Sequence, residues 1–114
     1  MAPEGTAVRA AARAAEIHGA LDPIAAGMRT TAVTATAEGK DIVSSSEATL
    51  QRSQRALLGP DEIAAKGASG VHAEVKGIDM AKELGLTPIA VGVSRPICSN
   101  CQGLLHDLGF TMVH

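Results

Sequence analysis

Two short motifs constrain this chain more than any other feature: His72-Ala73-Glu74 and, downstream, Pro96-Ile97-Cys98-Ser99-Asn100-Cys101. Together they offer one imidazole and two thiols, a donor set suited to zinc, with a carboxylate two residues beyond the histidine. Three protein ligands leave the fourth tetrahedral position open, which is the arrangement of a catalytic rather than a structural zinc. Cys98 and Cys101 are the only cysteines, so no closed four-cysteine site can form. A disulfide between them is disfavoured, because a C-x-x-C in a non-secretory context reads as metal-binding or redox-active. A fold that uses these groups together has to bring two separate stretches of chain to one point.

The pattern around the motifs suggests how. A helix is predicted from about His72 to Leu84, with Val75, Ile78, Met80 and Leu84 apolar and Gly85 as its stop. Pro88 opens a short apolar strand, Ile89 to Val93. Pro96 then precedes a helix from about Cys98 to Leu108, stopped at Gly109, and Phe110 to Val113 makes a final strand. Both motifs thus fall at helix N-termini, where free N–H groups and the helix dipole favour thiolate. Cys98 and Cys101, three apart on a first turn, share one face. Strands alternating with helices imply parallel pairing through helical crossovers.

Upstream, residues 6–19 form an alanine-rich helix, with Thr6 as its cap and Gly19 as its end. Val8, Ala11, Ala12, Ala15 and Ile17 are its expected apolar face, with Arg9, Arg13 and Glu16 elsewhere. From Met28 to Ala37 the β-branched Thr30, Thr31, Val33, Thr34 and Thr36 predict a strand; Glu38-Gly39 turns it into Lys40–Ser44 as a hairpin. Ser46 starts a predicted helix through Leu50, Arg52, Arg55 and Leu58, broken at Gly59-Pro60. Asp61 caps a further turn through Ile63 and Ala65, and Gly67, Ser69 and Gly70 lead to His72. The reading is one domain over residues 1–114, with an N-terminal helix and loop (1–27) and a hairpin plus zinc-binding core (28–114). Its class is α/β, with helices on both faces of a mixed sheet of about four or five strands.

Composition narrows the partners. Alanine supplies much of the hydrophobic content and Phe110 is the single aromatic, so the core has to come from scattered Val, Ile, Leu and Met. No stretch approaches the roughly 20 apolar residues that span a bilayer, so no membrane partner is expected. The N-terminus shows no basic region followed by an apolar run, so no signal peptide is expected. With a formal net charge of −2, strong non-specific affinity for duplex DNA is not expected, though a local basic patch remains compatible with it.

The H-x-E and P-I-C-x-x-C motifs resemble the H-x-E and P-C-x-x-C signature of zinc-dependent cytidine deaminase-like enzymes. The order of elements over residues 28–114 is similar too: a hairpin before the H-x-E helix and a strand before the C-x-x-C helix. The resemblance implies a three-layer α/β/α cytidine deaminase-like fold, His72, Cys98 and Cys101 as Zn²⁺ ligands, and Glu74 as proton shuttle. It also implies hydrolytic loss of ammonia from a nucleobase. Gly70-Val71-His72-Ala73-Glu74-Val75 with Ser94-Arg95-Pro96-Ile97-Cys98 looks most like deaminase domains of bacterial polymorphic toxins. That likeness implies action on cytosine in nucleic acid, with single-stranded DNA favoured, and a cognate immunity protein. It further implies a cytoplasmic site of action after delivery within a longer secreted toxin. Two departures stand out: Ile97 separates Pro96 from Cys98, and the chain is shorter than many relatives, which add a further helix and strand.

Around the core motifs, Ser94 and Arg95 are the expected polar rim of the pocket. Val71, with Val33, is an expected aliphatic wall, and Ser44, Ser45 and Ser46 either bind a base or sugar or terminate a strand. Arg52 and Arg55 are either a solvated helical face or contacts to substrate phosphates. His18 and His106, each near a helix end that favours cations, read as surface residues, and His114 is uninformative. Weak net charge and the scarcity of aromatics for stacking favour one alternative, a deaminase of a free nucleoside, nucleotide or base. A second alternative is a zinc-stabilised binding domain without turnover.

Overall fold

The structure, a computed structural model, describes residues 3–47, 49–66, 72–94 and 111–113. In chain order the elements are α1 (Pro3–His18), α2 (Pro23–Met28), β1 (Thr31–Thr36), β2 (Asp41–Ser45), α3 (Arg52–Arg55), β3 (Glu62–Ala64), α4 (Ala73–Glu83), β4 (Pro88–Val93) and β5 (Thr111–Val113). Among the described residues the strands form one five-stranded mixed sheet in the order β3-β2-β1-β4-β5. β1 runs antiparallel to both of its neighbours, whereas β2 with β3 and β4 with β5 are parallel pairs. The expected hairpin is present, with Val33 opposite Val43 and Gly39 at φ +87° in the turn, a backbone region that glycine enters without strain. The crossover from β4 to β5 is parallel, as the alternation of strand and helix implied.

Side chains alternate across the sheet and so define two layers. Val33, Ala35, Val43 and Ala90 pack against Ala7, Ala10, Ala14 and Ile17 of α1. Ala32, Ile42, Val91 and Val93 pack against Ala73, Ile78 and Ala81 of α4. The domain is therefore an α/β/α sandwich, and all six residues of β1, enclosed on both faces, are buried. No helix among the described residues is long and apolar enough to cross a membrane.

Several local expectations are corrected. α1 starts at Pro3, where proline suits a first turn, rather than at a Thr6 cap. Its buried face is Ala7, Ala10, Ala14 and Ile17, while Val8 is 57% exposed and Ala12 and Ala15 face outward. The reason is distance: a Cβ on Gly92 of β4 would lie 2.0 Å from the Ala11 nitrogen, so the helix backbone rests on the strand and only small side chains fit between. Arg9 and Arg13 set the rotation from the other flank, pairing with Asp41 at 2.7 Å and Glu62 at 2.7 Å.

The helix expected from Ser46 is confined to Arg52–Arg55. Ser46 extends the strand end instead: its N–H donates to the Thr30 carbonyl, and its hydroxyl accepts from the Thr30 N–H. The segment after Asp61 is β3 rather than a turn, paired with β2 from Asp41–Glu62 to Val43–Ala64. Three residues are too short to show a period in sequence, and the open edge of β2 decides their conformation. α2 occupies part of the expected N-terminal loop, with Asp22 before Pro23 as its start signal.

α4 begins and ends close to expectation. His72 is its N-cap residue, and Gly85 stops it at φ +74°. The Leu86 N–H donates to the Ala81 carbonyl at 2.8 Å and the Gly85 N–H to the Lys82 carbonyl at 3.1 Å, a Schellman closure. Its buried face differs from the expected Val75, Ile78, Met80 and Leu84. Ala73, Glu74, Lys76, Gly77, Ile78 and Ala81 are buried, and Leu84 is 47% exposed.

Candidate functional site

α4 runs antiparallel to β4, so its first turn sits at the sheet end where β4 finishes. Ala73 packs in one apolar cluster with Val93 of β4 and Ala32 of β1. Ser94 continues the pairing beyond β4: its N–H donates to the Thr31 carbonyl at 2.9 Å, and its hydroxyl accepts from the Thr31 N–H at 3.0 Å. His72 and Glu74 therefore stand at the point from which the chain leaves Ser94 toward Cys98, four residues further on.

Within this turn the two motif residues have different surroundings. His72 is exposed, in extended conformation (φ −60°, ψ 138°), and its side chain makes no cap bond to the helix. Glu74 is 3% exposed, and its Oε2 has no hydrogen-bond partner among the described residues. The same end of α4 packs into an apolar cluster of Ala32, Ala73, Ile78, Val91 and Val93. Buried carboxylate oxygens without a partner are rare, and the usual explanation is a catalytic role or a bound group. The free N–H groups of the first turn also give this end of α4 a positive potential.

Beside it, Lys76 is buried and donates from Nζ to the Ser45 carbonyl at 2.9 Å and to the Glu47 carbonyl. Burial pushes its amine below the ordinary lysine range, an effect that the charge of Glu47 partly opposes. Ser44 is fully buried and donates to the Ala73 carbonyl at 2.5 Å. Thr34, buried next to Gly77, has a hydroxyl without a partner among the described residues. Lys76, Gly77 and Thr34 were missed from sequence. The available signal was their spacing, since Lys76 and Gly77 lie four residues beyond His72 and Ala73 on one helix.

The remaining site residues are distributed as follows. Ser94 is half-buried at the site end, with its hydroxyl engaged by Thr31. Ser44 faces α4 rather than an open pocket, and Ser45 and Ser46 are held in strand-end hydrogen bonds. Val33 is not a pocket wall: it points to α1, on the sheet face opposite Glu74. Arg52 and Arg55 are exposed on α3, which is pinned on the α1 side by the buried Gln54. The Gln54 Nε2 donates to Thr31 Oγ1 at 3.0 Å and to the Ile17 carbonyl at 3.4 Å. His18 is half-buried rather than a surface residue, with Nδ1 2.9 Å from Thr31 Oγ1. Val71, Arg95, Cys98, Cys101, His106, Phe110 and His114, with the helix expected over Cys98–Leu108, lie outside the described residues.

Among the described residues no group of three or more His, Cys, Asp or Glu is placed to hold a metal ion. The cysteines of the expected donor set are not among them. The chemistry of that set, one imidazole and two thiols, fits zinc, and a buried carboxylate with an oxygen unpaired among the described residues fits a group acting beside it. Compared with protein-family models, curated proteins and solved structures, the chain matches none.

Proposed function

We propose that this protein is a zinc-dependent deaminase of cytosine in nucleic acid, with single-stranded DNA as the favoured substrate, of the bacterial-toxin type. The observation that carries the reading is Glu74: a carboxylate 3% exposed, with an oxygen that has no partner among the described residues, two residues from His72 on the first turn of α4. The α/β/α architecture, and β4 ending beside that turn just before the two cysteines, support it.

His72, Cys98 and Cys101 are the residues that would hold zinc. When bound, the metal supplies Lewis acidity that lowers the pKa of a water toward about 7. Glu74 takes a proton from the attacking water as its oxygen bonds to C4 of cytosine, and passes that proton to N3. It then moves the second proton to the departing amine, the C4–N bond breaks, and uracil and ammonia are released. The burial of Glu74, at 3% exposure, keeps bulk water from the carboxylate. Arg52 and Arg55 on α3 are available to a phosphate backbone passing the site end.

Glu74→Ala tests the assignment: it is expected to retain zinc and to release no ammonia from a labelled oligonucleotide. Turnover by that variant would remove the proton-shuttle role. The net charge of −2 and the single aromatic favour a second reading, a deaminase of free nucleosides, nucleotides or bases. Parallel assays with cytidine, dCMP, adenosine and guanine separate the two, since activity on monomers alone would select the second. Zinc without turnover on any substrate would point to a binding domain. The immunity partner and delivery within a secreted toxin rest on the motif resemblance alone; C-to-T changes in DNA from cells expressing the protein would support that setting.

A further inference from the structure

Ser44 lies in the middle of the α4 interface with no exposed surface, and its hydroxyl donates to the carbonyl of Ala73 at 2.5 Å. Ala73 is the residue between His72 and Glu74, so the bond is made to the peptide that links the expected ligand to the expected proton shuttle. The contact depends on how low α4 rides over the sheet. A Cβ at Gly77 would lie 2.2 Å from Thr34 Oγ1 and 3.3 Å from Ser44 Oγ, so only glycine permits this approach. A hydrogen bond in such a dry interface is short and stiff, and leaving its acceptor unpaired is costly. The same strand end is tied to the helix a second time, through Lys76 and the carbonyls of Ser45 and Glu47.

We propose that Ser44 is a positioning residue for the site: by holding the Ala73 carbonyl it sets the height and rotation of the turn that presents His72 and Glu74. The assignment rests on the deaminase reading. Ser44 acts through the backbone and touches no reacting atom, unlike the base or sugar contact that its place at the hairpin end suggested.

The test compares Ser44→Ala with Thr36→Ala. Thr36 is another buried residue of the same sheet whose hydroxyl donates to the Lys40 carbonyl at 2.6 Å, at the end remote from α4's first turn. In metal-free protein, hydrogen exchange of the Lys76 amide, which bonds the His72 carbonyl, reports the order of that turn. Ser44→Ala is expected to speed this exchange about tenfold relative to Thr36→Ala at matched global stability. In zinc-loaded protein, Ser44→Ala is expected to weaken zinc about tenfold, read by chelator competition, and to lower kcat at unchanged KM. Thr36→Ala should leave both unchanged. Equal exchange in the two variants, or wild-type zinc affinity and kcat in Ser44→Ala, would overturn the assignment. Failure of the wild-type protein to bind zinc would strike the deaminase reading instead, and the exchange rates would still decide whether Ser44 holds the turn.

Discussion

Glu74 and Lys76 occupy positions on α4 where an amphipathic helix would carry solvent-facing charge, yet both are buried. Glu74 draws attention in the sequence because a carboxylate two residues after a histidine has a chemical meaning, although nothing in the sequence marks its burial. Lys76 draws none, because a lysine whose ammonium reaches two backbone carbonyls is written with the same letter as one that snorkels to water. The burial has a consequence in pH. The folded state holds the Lys76 proton less tightly than the unfolded chain, so the penalty of charge burial is fully present below the lowered pKa. That penalty disappears as pH rises toward the unfolded value of about 10.4. Wild-type protein is therefore expected to gain stability relative to Lys76→Met between pH 7 and about pH 10. Urea unfolding of both proteins across that range checks it; a constant difference would show that the amine is not desolvated.

α1 illustrates what periodicity can and cannot tell. The existence and the end of the helix were plain, but its rotation was not, since alanines lie on nearly every side. What selects the face is external to the helix: the bare backbone of Gly92 on one flank and the carboxylates of Asp41 and Glu62 on the other. Gly92→Ala would drive a methyl into the backbone of Ala10 and Ala11, atoms that cannot move aside without shifting the helix. The expected cost is about 1–3 kcal/mol or more, and wild-type stability in denaturant would refute the close approach. Arg13 grips Glu62 with two bonds, Nε to Oε2 at 2.8 Å and Nη2 to Oε1 at 2.7 Å, and so holds that carboxyl below its usual range. A depressed carboxyl pKa gives stability that is present above the unfolded pKa of about 4.3 and lost as pH falls through the folded one. Glu62→Gln should then be less stable at pH 7 by about 1–2 kcal/mol, with the gap to wild type closing on acidification below about pH 4. Parallel loss of stability in both proteins would mean that the pair contributes nothing.

Taken together, the layers, the hairpin and the parallel return to β5 could be read from the strand and helix alternation, while the parallel edge strand β3 could not. Its three residues carry no pattern, and their conformation is decided by the free edge of β2. The charge distribution was likewise hidden in the net value of −2. Arg9, Arg13 and Lys40 are tied to Asp41, Glu62 and Asp61, whereas Arg52 and Arg55 on α3 make no ion pair among the described residues. If a single strand tracks over α3, replacing each of these arginines by glutamine should flatten the salt dependence of oligonucleotide binding by about 0.7 in log–log slope. Glu74→Ala protein allows the measurement without consuming the substrate. An unaltered slope would leave α3 as an ordinary solvated surface. The sheet also has a quiet pole. Glu38 accepts from the backbone and hydroxyl of Thr87, knitting the β1–β2 turn to the loop that opens β4, at the far end of the strands from His72 and Glu74. A linker spliced into that turn could anchor the protein to a bead or a fusion partner, with the rim that bears His72 and Glu74 left facing solution.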